Sequence, residues 1–253
     1  MKVIYDFGAN NGDDLPYYLL RADKVVAVEA DPTLCSKMED RFAQEIAQNR
    51  LHILNVCLTG DKQQSGNDMD FWVHRERPVL SSAIKPADNV CNRYDIVRVP
   101  SMTASDIIGN FGDPYYIKID VEGLDGKIIR DLFVSEIYPP YLSAECHNAE
   151  VFGLLISCSC YESFKLVDGS SVPKRYLNRE IQALSGEKSI YSFPYHSAGP
   201  FGNDIDGDWI APNNFFKLLS AVGLGWKDIH VSRLDKPNKK YTPTIKYKVI
   251  ADY

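Results

Sequence analysis

The stretch Val3-Ile4-Tyr5-Asp6-Phe7-Gly8-Ala9-Asn10-Asn11-Gly12, read together with Val25-Val26-Ala27-Val28-Glu29, decides the fold. An apolar run that stops at a glycine turn, a helical interval, and a second apolar run that stops at an acid is the pattern of a parallel strand-helix-strand unit. Ligands of such units lie beyond the carboxyl ends of the strands. Gly8 and Gly12 let the turn come close to a ligand that a Cβ would push away. Glu29 ends the second run with a carboxylate suited to accept hydrogen bonds from a ribose diol.

The turn departs from the dinucleotide fingerprint G-x-G-x-x-G, which brings helix N-terminal amides to a pyrophosphate. Here Asp13 and Asp14 follow Gly12 at the expected helix start. Two carboxylates there suit the helix dipole and repel phosphate. The pattern therefore predicts a cofactor with an adenosine and a cationic or zwitterionic tail, a description met by S-adenosylmethionine. Glu29 is expected at the ribose, Ala30 and Asp31 at the adenine edge, and Asn55-Val56-Cys57 on its other side. Asp6 and Gly8, with the turn residues Ala9, Asn10, Gly12 and Asp13, are expected around the methionine portion. On this reading Glu29→Ala weakens cofactor binding and leaves the fold intact.

Working outward, strand and helix patterns alternate over the first two thirds of the chain. Strands are expected at Lys2–Phe7, Val25–Glu29, Leu51–Cys57, Tyr115–Asp120 and Tyr141–Cys146, with helices at Asp13–Arg21, Pro32–Gln48 and Leu124–Val134. The fold class is α/β, a doubly wound, mostly parallel sheet. Short strands at Asp70–Val73 and Asp95–Val99 bracket a loop containing Leu80-Ser81-Ser82, which either closes over a cofactor or is a surface excursion. The whole of 1–253 is expected to be one domain: a cofactor-binding core at 1–167, an inserted substrate-selecting segment at 168–242 with a helix at Asn213–Val222, and a final strand within 243–253, at Ile245–Asp252.

A chain of 253 residues with 45% hydrophobic and 25% charged residues can bury the core of one such domain. The net charge of −6 offers no basic stripe for nucleic acid. The six cysteines Cys35, Cys57, Cys91, Cys146, Cys158 and Cys160 lack C-x-x-C spacing, so reduced thiols in a cytoplasmic protein are expected. No apolar run reaches membrane-spanning length, and Lys2–Asp6 already reads as strand rather than as a secretory signal. Oligomeric state is left open.

A third block, Tyr115-Tyr116-Ile117-Lys118-Ile119-Asp120-Val121-Glu122-Gly123, carries two acids to the same crevice. Asp120 and Glu122 are suited to bind an amino group, orient a hydroxyl or accept its proton, or else to cap the next helix. With Asp6–Asp13 and Val28-Glu29-Ala30-Asp31-Pro32, this block resembles the signature blocks of FkbM-type methyltransferases over roughly Lys2–Cys146. The resemblance implies a seven-stranded Rossmann-like methyltransferase sheet with an antiparallel last strand, and methyl transfer from S-adenosylmethionine, usually to a hydroxyl oxygen. It does not name the acceptor. Asp14-Leu15-Pro16 stands where many relatives have Thr-Ser, which alters the contacts to the methionine tail.

Methyl transfer to an alcohol needs a group to take its proton, or a metal to acidify it. His147 is the first candidate base, Glu145 orients it or accepts the proton itself, and His196 is the second candidate; a helix cap is the plainer role for His147. Asp120, Glu122, Glu145 and His147 would have to converge to hold a divalent metal, a possible but less favoured option. Asp204–Asp208 lacks the spacing of a calcium loop. A sugar in a glycan or a hydroxylated natural product is the expected acceptor, with Trp72, Trp209, Phe201 and nearby tyrosines either stacking on it or forming core. Two rivals remain: an NAD(P)-dependent oxidoreductase and a non-catalytic nucleotide-binding module.

Overall fold

The computed structural model describes residues 1–238 and Lys240. The opening stretch forms β1 (Val3–Phe7), every residue of it buried. It is followed by α1 (Leu15–Arg21), β2 (Lys24–Glu29), α2 (Pro32–Arg41), α3 (Ala43–Ala47) and β3 (Leu51–Asn55). The single helix expected at Pro32–Gln48 is two, because Phe42 leaves helical geometry (φ −114°, ψ 26°) to turn its ring into the core. The strand expected at Leu51–Cys57 divides as well. Its last residue starts β4 (Cys57–Thr59), which joins β5 (Asp68–His74) and β6 (Tyr94–Thr103) in a separate small sheet of order β4-β6-β5.

The chain then alternates α4 (Ala104–Phe111), β7 (Pro114–Ile119), α5 (Asp125–Val134), β8 (Tyr141–Glu145), α6 (Ala149–Ser157) and β9 (Ser163–Asp168). A short α7 (Val172–Arg175) and the hairpin β10 (Arg179–Gln182) and β11 (Lys188–Tyr191) lead to α8 (Pro212–Val222) and β12 (Lys227–Ser232). The main sheet has seven strands in the order β3-β2-β1-β7-β8-β12-β9. β12 runs antiparallel to both its neighbours, while β3, β2, β1, β7 and β8 pair in parallel. The antiparallel strand is therefore Lys227–Ser232, inside the stretch read as an insertion; the strand expected at Ile245–Asp252 lies outside the described residues.

Both faces of the sheet are covered, which is why β2 reads as a continuous apolar run from Val25 to Val28. Val3, Tyr5 and Phe7 pack with Ile107, Ile128, Leu155 and Phe215 from α4, α5, α6 and α8. Ile4 packs on the other face with Leu15, Tyr18, Met38 and Phe201. Phe201 lies flat on Tyr116 (centroids 4.1 Å apart, 9° between planes) and Trp209 stacks on Tyr141. Both are buried, so of the two roles left open for them they take the core one. Strand order reverses between β1 and β7, and the crevice opens there.

Candidate cofactor and active site

Gly8 adopts φ +86°, and a Cβ on it would lie 1.7 Å from the Asp120 carbonyl oxygen. The close approach of the Asp120 backbone to the end of β1 therefore demands a glycine here. Gly12 (φ +75°) likewise makes room for the Met38 side chain of α2, which a Cβ would meet at 2.9 Å. The turn between them lines one side of a cavity of about 570 Å³ that runs along the carboxyl edge of the sheet.

One end of the cavity is bounded by Glu29, Ala30, Val56, Leu58 and Phe71, its middle by Gly8–Asn11, Asp13, Asp14, Lys118 and Asp120. The other end holds Glu122, Glu145, His147, Tyr195, His196 and Trp226. Arg77–Ser81 from the loop after β5 form a further wall. Ser82 ties it down by donating its hydroxyl to the Glu122 carbonyl (2.8 Å).

Of the expected site residues, Gly8, Ala9, Asn10, Asp13, Glu29, Ala30, Val56, Asp120, Glu122, Glu145, His147 and His196 line this space. Asp6, Gly12, Asp31 and Asn55 stand behind its wall. Asp31 is the N-cap of α2, its side chain accepting from the Thr33 amide (2.8 Å). Asn55 donates to the carbonyls of Glu29 and Ala30 (3.0 Å each) and so fixes the turn after β2. Asp6 is fully buried against Lys118 (3.3 Å).

The Glu29 carboxylate accepts from the Asn10 and Asp31 amides, 2.8 Å each, one on either oxygen. Burial lifts its pKa to about 7 while these amides pull it back. Lys118 sits at the centre of the site: its ammonium donates to the Gly8 carbonyl (3.0 Å) and pairs with Asp6 (3.3 Å) and Asp120 (3.5 Å). Around it stand Asp14 and Asp228, both buried, and burial raises both carboxyls. Glu122, at φ +46°, is lifted to about 8 by burial and by Asp120. Acid outnumbers base here, so the cavity favours a positive charge.

No side chain caps α5, whose N-cap is Leu124; Asp125 instead holds the turn before the helix, accepting from the Val121 and Gly123 amides (3.2 Å each), so neither Asp120 nor Glu122 takes the capping role. This leaves Asp120, Glu122 and Glu145 each with an oxygen within 4.8 Å of the others, a set able to hold a metal ion. His147 Nε2 faces Glu145 Oε2 at 2.9 Å. The cap of α6 is Asn148, which accepts from the Glu150 and Val151 amides, so the plainer role for His147 belongs to its neighbour. Burial, then Asp120 and Asp228, push the Glu145 carboxyl far above its ordinary range. The acids of 204–208 are engaged by neighbouring side chains: Asp204 with Arg21, Asp206 with Arg175 and Arg179, and Asp208 with the Asn238 amide.

Sequence reasoning missed the parts played by Lys118, Asp14, Asp228, Tyr195 and Trp226. A lysine alternating with apolar residues in the β7 stretch was a usable signal for Lys118. Asp228 in β12 and Trp226 just before it had none, because that strand is not anticipated by the sequence pattern.

A seven-stranded sheet in this order, with its antiparallel strand next to the edge and an acid-rich cavity at the switch point, defines a Rossmann-like fold of the methyltransferase class. The family model of the methyltransferase FkbM domain matches residues 6–154, more than half of the chain, and the chain belongs to that family. No curated protein matches it. Among solved structures it is similar to methyltransferase FkbM from Methylobacillus flagellatus KT (16% identity, TM-score 0.37), over 57% of this chain and 32% of that one. It is also similar to precorrin 8W decarboxylase from Methanobacterium thermoautotrophicum (9% identity, TM-score 0.41; 91% and 80% covered) and to the StiE O-MT (13%, 0.37; 93% and 69%). The chain thus spans about a third of the length of the Methylobacillus protein. Among the described residues, no helix is long and apolar enough to cross a membrane.

Proposed function

We propose that this chain is an S-adenosylmethionine-dependent O-methyltransferase acting on a hydroxyl of a polar acceptor, a sugar in a glycan or a hydroxylated natural product. One observation carries the reading: a single cavity runs from Glu29, at the end of β2, to the Glu145–His147 pair just past β8. The donor set fits the cofactor. Glu29 keeps lone pairs for ribose hydroxyls, Ala30 and Val56 offer apolar surface to the base, and the acids around Lys118 suit a sulfonium and an ammonium. Both Asp6 oxygens are buried with no hydrogen-bond donor beyond that ion pair, so burial lifts the carboxyl to about 7 and the Lys118 ammonium is what draws it back beneath the turn.

When bound, S-adenosylmethionine supplies a methyl group activated by its sulfonium. The chain's own residues then position the acceptor and hold its proton. Positive charge in the cavity favours the ionised form of Glu145. Its carboxylate accepts from Nε2–H of His147, leaving Nδ1 with a lone pair to take the hydroxyl proton. In this reading the chain works as one domain, with 1–167 serving the cofactor and 168–242 the acceptor.

Incubation with methyl-labelled S-adenosylmethionine and a panel of saccharides and polyols tests this, with alkali-stable label on a hydroxyl oxygen expected. Label found only on protein or nucleic acid overturns the acceptor class. Tight NADH binding by spectroscopic titration instead of S-adenosylmethionine marks an oxidoreductase, and cofactor hydrolysis without any methylated product marks a binding module. A second reading, a divalent cation on Asp120, Glu122 and Glu145, is favoured by their convergence within 4.8 Å. Activity abolished by EDTA and restored by magnesium or manganese selects it over the histidine route.

A further inference from the structure

The end of the cavity next to β8 is walled by rings. Tyr195 and Trp226 meet edge to face (centroids 5.4 Å, 69°), and His196 leans on both, 4.8 Å from Tyr195 and 6.1 Å from Trp226. Tyr195 is 59% exposed and lines the cavity, so its ring is accessible to a ligand there.

These rings are held from behind. Gly169 donates its amide to the Trp226 carbonyl (3.1 Å), and a Cβ on Gly169 would meet the indole Nε1 at 2.4 Å, so glycine alone admits the indole there. Backbone bonds from Gly225 to Cys146 (3.1 Å) and from Cys146 to Lys227 (2.8 Å) hold Trp226 beside the strand end that carries His147. Tyr195 and His196 precede Ser197 and Ala198, whose hydroxyl and amide both donate to the buried Asp14 carboxylate of the cofactor turn. The backbone that carries the rings, and the indole packed on Gly169, are thereby held before any ligand arrives, a condition that lowers the entropy lost on binding.

Asp120, Glu122, Glu145 and His147 line the same cavity as the rings. Acids repel a carboxylate or phosphate, and they accept hydrogen bonds from hydroxyls. Aromatic faces take up a ligand face made of C–H groups. An open-chain polyol offers the same hydroxyls without such a face and loses more rotamer freedom on binding.

We propose that Trp226 and Tyr195 are the residues that select the acceptor, forming a platform for the apolar face of an uncharged, hydroxylated six-membered ring whose edge hydroxyls point to Glu145 and His147. The inference rests on the O-methyltransferase reading and adds the acceptor's shape and charge. Saturation-transfer NMR on the full chain with S-adenosylhomocysteine tests it, using methyl β-D-glucopyranoside and trans-cyclohexane-1,2-diol against sorbitol and glucuronic acid. Ring-face protons of the first two are expected to receive saturation, and those of the last two are not. Tyr195→Ala and Trp226→Leu should each cut the ring signal about fivefold, and Trp226→Phe should keep most of it. Calorimetry should give an unchanged S-adenosylhomocysteine affinity in Tyr195→Ala, whose exposed side chain guards against a folding artefact. Equal signals from sorbitol or glucuronic acid, no signal from either ring, or undiminished ring signals in both Tyr195→Ala and Trp226→Leu overturn the platform. Failure of S-adenosylhomocysteine to bind the wild-type chain counts against the cofactor reading instead, while the ring-against-polyol comparison still decides this one.

Discussion

Glu29 serves the turn and the ligand with one carboxylate. Because both of its oxygens already hold buried amides, Glu29→Ala does more than remove a ribose contact; it leaves the Asn10 and Asp31 N–H groups without acceptors. The expectation that this substitution spares the fold is therefore revised. We expect S-adenosylmethionine affinity to fall more than about tenfold, and stability to fall by about 1–3 kcal/mol for the orphaned amides. Calorimetry and urea unfolding read the two effects separately, and an unchanged unfolding midpoint would show that the turn does not depend on Glu29. At Gly8 the consequence is harsher. A methyl there meets a backbone carbonyl at 1.7 Å in a region of φ that side chains avoid, so Gly8→Ala should cost more than about 3 kcal/mol and be recovered largely as aggregate. Both residues stand out in the sequence. Why they are needed does not, since the Asp120 carbonyl that excludes a Cβ is distant in the chain and meets Gly8 only once β1 and β7 pair.

Among the elements, α1 is only seven residues long and its N-cap Asp14 makes no capping bond. The carboxylate turns instead to the 194–201 segment, binding Ser197 Oγ and the Ala198 amide, while the Gly199 amide donates to Ser197 Oγ (2.9 Å). Ser197→Ala removes the hydroxyl that joins them, and should cost about 1–2 kcal/mol and speed hydrogen exchange at the Ala198 and Gly199 amides. Exchange at the wild-type rate would mean that the segment is held by other contacts, such as the Phe201 amide donating to the Tyr17 hydroxyl (3.2 Å) and the Phe201 ring on Tyr116. This latch was illegible because its halves are about 180 residues apart and each reads as ordinary: acids before a helix, and a serine in a glycine-rich loop. Elements with strong periodicity or clear punctuation were legible, namely β1, β2, β7, β8, α5 and α8. β12 was not. His230 and Asp228 interrupt its apolar pattern, yet both are buried between β8 and β9, and only tertiary pairing makes such a stretch a strand. The helix α4 escaped notice for a different reason: it follows directly on the ten-residue β6, whose Thr103 both ends the strand and caps the helix.

For the molecule as a whole, the surplus of buried acid makes folding itself a proton-linked event. Glu29, at about 7, and Glu122, at about 8, hold protons in the folded chain that the unfolded chain, with carboxyls near their model value of 4.5, has released. Groups raised in this way contribute stability that is complete below the unfolded value and is lost as pH rises through the folded one. His230 acts in the opposite sense. Burial, with Lys165 nearby, lowers it from 6.5 to about 3, so its contribution is present above 6.5 and is lost as pH falls below that value. Between pH 6.5 and 8 the acids act without this opposition, and the melting temperature of the ligand-free chain should fall steadily across that window. Glu122→Gln removes one titrating acid from the cluster, and should flatten the slope between pH 7 and 8. A cation brought into the cavity favours ionised acids, so saturating S-adenosylmethionine should raise the melting temperature more at pH 8 than at pH 6.5, with protons released on binding. Calorimetry in two buffers of different ionisation enthalpy measures that release directly. A melting temperature that rises from pH 6.5 to 8, or binding that takes up protons, would mean that the acids around Lys118 are already ionised in the free chain, and that the cavity's preference for a cationic ligand rests on fixed charge alone.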